Sequence, residues 1–137
     1  MLPDFPRRTV AVLTTVDPDP HAIPVSAPVR AGATRILLSV HRGRDSLARL
    51  RHDPRVALTV LAEGDVAFTA RGRATVLEEP MAVDPDYAAV AIEVEHVDDH
   101  RQPAFTVTAG VDRDWVDSTE QQRLGARVGQ LTSATGR

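Results

Sequence analysis

RILLSVHRGRDSLARLRHDPRVALTV, residues 35–60, is the stretch on which the reading of this chain turns. A β-branched apolar run at 35–40 predicts a strand, HRGRD an Arg-rich turn, SLARLRH one short helix stopped by Asp53-Pro54, and 55–62 a second strand. Strand, turn and helix start in that order can present an anion-binding turn. The first N–H groups of a helix lack intrahelical partners, and the helix dipole favours negative charge beside them. A phosphorylated ligand is therefore the first expectation.

Working outward, residues 9–16 (TVAVLTTV) read as a strand closed by the turn chemistry of Asp17-Pro18-Asp19-Pro20. Residues 22–29 (AIPVSAPV) continue extended. Pro24 and Pro28 cannot donate to a ladder, so this strand must lie at an edge, be bulged or face a ligand. Residues 31–34 turn the chain into 35–40 as a hairpin, and Glu63-Gly64-Asp65 joins 55–62 to 66–77 as another. Gly72 within the longer strand predicts a bulge or a close backbone approach. The spacing over 85–98 predicts a helix with Ala88, Val90, Ala91, Ile92, Val94 and Val97 as its apolar residues, although VAIEV reads equally as a strand. Residues 105–111 predict a final strand ending near Trp115, and beyond 117 the chain reads as a polar, mobile tail with one short helix. The sum is a mainly β domain over 1–116, a six-stranded antiparallel barrel with two short helices, followed by the tail 117–137.

Composition bounds the function. A chain of 137 residues with 42% hydrophobic and 26% charged residues suits one globular core. No apolar run is long enough to span a bilayer, and MLPDFPRR lacks the order of a secretion signal, so a cytoplasmic location and no membrane partner are expected. Cysteine is absent, which excludes disulfides, thiol nucleophiles and thiolate metal sites. A net charge of −3 argues against a nucleic-acid binder. All sixteen cationic side chains are Arg, so any phosphate contact from a cationic side chain must be a guanidinium.

AVLTTVDPDPHAIPV, ILLSV, LARLRHDPRVALTV and ARGRATV, in this order and spacing over residues 9–78, resemble the flavin-binding split-barrel family of pyridoxamine 5′-phosphate oxidase. The resemblance implies a homodimer with flavin mononucleotide (FMN) or the related deazaflavin at the subunit interface. It implies ligand contacts from the backbone of Val25, Ser26 and Ala27 and from the strand end at Ser39 and Val40. The family's two basic residues at the helix start correspond here to Asp45 and Ser46, which is a departure. Two anions about 5 Å apart at an effective dielectric near 20 repel by about 3 kcal/mol. Asp45 as an N-cap would also occupy N–H groups that a phosphate needs. Arg42, Arg44 and Arg49 are the guanidinium groups able to restore the pocket. Set against that reading is a solvated Arg face on a capped structural helix.

Other constellations are weaker. His96 and His100 have the i, i+4 spacing of a metal pair but no evident third ligand, so no metal site is expected. His21 and His41 read as loop histidines near the candidate turn, and Ser26 and Ser39 as hydroxyls able to bond a phosphate or ring edge. No Gly-rich phosphate loop, nucleophile elbow or zinc-protease motif occurs. The function implied is an FMN- or deazaflavin-dependent oxidoreductase acting on a small organic substrate. No acid–base residue is named, and Val25, Ser26, Ala27, Ser39, Val40, Arg42, Arg44, Ser46 and Arg49 are the expected binding positions. The alternative is a non-catalytic barrel that has lost the cofactor or holds another planar ligand such as haem.

Overall fold

The computed structural model describes residues 2–135. Its strands are β1 (Val10–Thr15), β2 (His21–Ser26), β3 (Val29–Arg30), β4 (Arg35–His41), β5 (Arg55–Ala62), β6 (Val66–Glu78) and β7 (Tyr87–Asp99); its helices are α1 (Asp45–His52) and α2 (Ser118–Thr135). The strands form one curled antiparallel sheet in the order β2-β1-β5-β6-β7-β4-β3. The fold is thus mainly β, the split barrel expected, with seven strands rather than six.

Alternation builds the barrel core. Along β1, Ala11, Leu13 and Thr15 are buried while Val12 is exposed, and along β5 Val56, Leu58 and Val60 point inward. These side chains close on Ile36, Leu38 and Val40 of β4, Phe68 of β6 and Val90 and Ile92 of β7. β4 shows no alternation because both faces are covered: Leu37 belongs to a second cluster with Met81, Ala89, Ala91 and Leu131, on the opposite face from Leu38.

That second cluster explains two of three departures from expectation. The helix expected at 85–98 is strand β7, in which Ala88, Val90 and Ile92 fill the barrel while Ala89 and Ala91 lie under α2. Burial on both faces hides the period of two, and only its outer half, where Glu93 and Glu95 are exposed beside buried Val94, still shows it. The polar tail is α2, whose Leu124, Val128 and Leu131 at helical spacing present an apolar face, of which Val128 and Leu131 join that cluster. Asp117 starts it by accepting the N–H groups of Thr119 (2.9 Å) and Glu120 (3.3 Å). The strand expected at 105–111 does not form, because both edges of β5 and β6 are already paired. Asp65 fixes this stretch instead, exchanging 2.9 Å hydrogen bonds with Val107, and Gly110 lies where a Cβ would come within 2.3 Å of the Leu61 carbonyl oxygen.

The Pro-rich stretch breaks in two. β2 is an edge strand, so Pro24 costs no ladder bond, and Ala27 at φ 53° turns the chain toward β3. Gly72 meets both of its expectations: the β6–β7 register shifts beside it, and a Cβ there would come within 2.0 Å of the Glu93 carbonyl oxygen.

Candidate functional site

β2 has no hydrogen-bonded neighbour on its outer side. Across that seam stand the end of β4, the turn after it and the start of α1, enclosing a cavity of about 610 Å³. Its volume falls within the range of about 300–1,000 Å³ typical of small-molecule sites. Val25, Ser26, Ser39, Val40 and Arg44, five of the nine expected positions, line it. Ala27 instead faces a second cavity, of about 710 Å³, between the N-terminal segment, residues 108–115 and α2.

The turn sorts the arginines. Arg42 leaves the cavity, donating from Nε to Glu79 (3.0 Å) and from Nη1 to the Pro85 carbonyl (2.9 Å). Hydrogen bonds from Arg51 and Arg42 hold the Glu79 carboxyl below its usual range. Arg49 points to the β1–β2 turn, where Nη1 donates to Asp19 Oδ1 at 2.9 Å. Both therefore tie α1 to its neighbours, and neither lines the cavity. Arg44 keeps its side chain at the cavity with no partner among the described residues.

The helix start also differs from expectation. Arg44 is the N-cap of α1 and no side chain caps the helix, so Asp45 lies one residue inside and leaves the first-turn N–H groups uncovered. Asp45 nevertheless lines the cavity. Ser46 does not reach the cavity: it is fully buried, with an Oγ that has no partner among the described residues. Within the turn, Gly43 N–H donates to His41 Nδ1 at 3.0 Å, which leaves the proton of the neutral ring on Nε2. The His41 ring meets Tyr87 edge-on with centroids 5.1 Å apart.

Two further guanidinium groups approach from beyond the barrel. Arg127 of α2 lines the cavity and is 5% exposed. Its Nε donates to Ser39 Oγ (3.2 Å), its Nη1 to Asp84 Oδ2 (2.8 Å), and its plane lies 3.5 Å over the Tyr87 ring. Arg113 donates from Nη1 to Ser26 Oγ at 2.7 Å and covers Trp115. The sequence reading missed both. Leu124, Val128 and Leu131 at i, i+4 and i+7 were the available signal for the helix that delivers Arg127. Asp84 behind Arg127 is 1% exposed; burial opposes its ionisation most strongly, and hydrogen bonds from Arg123, Arg127 and the Asp86 N–H outweigh it, so its carboxyl is held below the usual range.

His96 and His100 both lie in or beside β7, and His100 Nε2 is 2.8 Å from Thr69 Oγ1. Among the described residues no group of three or more His, Asp or Glu could hold a metal, and no helix is long and apolar enough to cross a membrane. To a ligand bearing a phosphate the cavity offers its volume, the uncapped N–H groups of α1, the unpartnered Arg44 and the hydroxyls of Ser26 and Ser39, with Asp45 in the same lining.

The family model of pyridoxamine 5′-phosphate oxidase matches residues 3–109. No curated protein matches the chain in sequence. Among solved structures, a FAD-binding protein from Mesorhizobium loti is similar at 18% identity, with 65% of this chain and 83% of that one covered and a TM-score of 0.53. An F420 reductase is similar at 17% identity, with 69% and 92% covered and a TM-score of 0.55. A haem-binding protein from Mycobacterium smegmatis is similar at 22% identity, with 66% and 48% covered and a TM-score of 0.52.

Proposed function

The chain belongs to the pyridoxamine 5′-phosphate oxidase family, and on that premise we propose that its seam cavity binds FMN or a deazaflavin and serves an oxidoreductase acting on a small organic substrate. The observation that carries the reading is the helix start, where uncapped N–H groups of α1 and the unpartnered Arg44 face a cavity of about 610 Å³. These are the groups a phosphate requires. Structural relatives described as FAD-binding and as an F420 reductase support the ring class.

When bound, the ring supplies the two-electron chemistry. The chain's own residues bind and orient it: β2 contributes backbone and Ser26, β4 contributes Ser39 and Val40, and buried Val25 and Ile23 keep water from one wall. A homodimer completing the site across the interface and a cytoplasmic location belong to the same proposal.

Asp45 in the cavity wall favours a second reading, a non-catalytic barrel that holds another planar ligand such as haem. Titration of the purified protein with FMN, the deazaflavin and hemin separates the two. Saturable flavin or deazaflavin binding supports the oxidoreductase, and a Soret shift with hemin alone supports the second reading.

A further inference from the structure

Arg127 lies outside the residues that the family model matches, on a helix that the barrel does not need for closure. It is buried, yet it faces the cavity. Of its five N–H donors, Nε is spent on Ser39 and one on Nη1 is spent on Asp84, and Nη2 has no acceptor among the described residues. Its carboxylate partner is shared: Asp84 also accepts from Arg123 at 2.6 Å, while Arg123 draws in addition on Asp86 and Glu120. Asp86 and Glu120 balance Arg123, so Asp84 is the counter-charge of Arg127, and what Arg127 keeps in reserve is hydrogen-bonding capacity at Nη2. Because Ser39 Oγ already accepts from Arg127, its hydroxyl proton must point elsewhere, and the residue lines the cavity. Guanidinium and hydroxyl together present donors to one wall, the array that recognises an anionic oxygen.

We propose that Arg127, with Ser39 as co-donor, hydrogen-bonds the anionic group of the ligand alongside Arg44, supplying from the C-terminal helix donors that Asp45 and Ser46 do not supply at the start of α1. This rests on the flavin reading above and adds a second guanidinium to its phosphate site. The stacking on Tyr87 holds the guanidinium plane, so the charge is placed before the ligand arrives.

The test compares each ring with and without its phosphate: FMN against riboflavin, and the deazaflavin coenzyme against its phosphate-free form. In Arg127→Gln the affinity for FMN is expected to fall about tenfold or more while that for riboflavin stays within about twofold, and Arg127→Lys retains most of the preference. An unchanged FMN-to-riboflavin ratio in Arg127→Gln, or an equal loss for both, overturns the role of Arg127 and leaves the flavin reading standing. Failure of the wild-type protein to bind any of the four compounds overturns both. Should Arg127→Gln alone not fold, the double variant with Asp84→Asn removes the opposing buried charge as well and is read by the same ratio.

Discussion

After β4 the chain places Arg42, Gly43 and Arg44 in succession, and their partners decide their roles. Arg42 is held by Glu79 and the Pro85 carbonyl, whereas Arg44 faces the cavity unpartnered. Arg44→Ala is expected to weaken FMN binding about tenfold, and Arg42→Ala to leave it within about twofold, in a fluorescence titration. Both residues stand in one turn of the sequence, and nothing local separates them. What does is Glu79, brought alongside from the end of β6 by the fold. Ser39 and Val40 were legible because a strand end before an Arg-rich turn has few conformations. Arg127 was not, since a buried Arg in a polar segment looks like any solvated charge until Asp84 is beside it.

At the scale of elements, α1 was readable from its Asp53-Pro54 stop, and β2 from prolines that admit an edge, a bulge or a ligand-facing strand, of which the fold takes the edge. β7 was not, because α2 covers the face that would otherwise have been polar. Leu131→Ala in that covering helix is expected to cost about 2–4 kcal/mol in denaturant unfolding. Gly72→Ala, whose Cβ would meet Glu93 backbone atoms, is expected to destabilise by about 1–3 kcal/mol in the same assay. The ties of α2 also give it a pH dependence. The Asp84 carboxyl is depressed in the folded protein, so its contribution is complete above its unfolded value near about 3.9 and is lost as pH falls through the folded value. Trp115, the chain's single Trp, lies just before α2 and reports this. Its fluorescence is expected to be flat from neutral pH down to about 4 and to change below it; a transition near neutrality would contradict this assignment.

For the whole molecule, the outer sheet face carries exposed Val12 and Leu61 around Thr59, as a barrel that pairs with a second copy would. Sedimentation is expected to show a dimer that Leu61→Arg dissociates; a wild-type monomer that still binds flavin would remove the second subunit from the site. The barrel's order of elements was legible because turn chemistry and alternation agree over residues 9–78. Beyond residue 99 the described segments are held by contacts with the barrel, Val107 by Asp65 and Leu131 by Leu37, Ala89 and Ala91. The central claim is that the seam cavity binds a phosphorylated flavin or deazaflavin. Its most direct test is an equilibrium fluorescence titration of the purified protein with FMN and with the deazaflavin, run beside Arg44→Ala. Saturable binding of one of them at about micromolar concentration, weakened in the variant, is the predicted result. No saturable binding of either up to about 100 μM, or binding indifferent to Arg44, would contradict it.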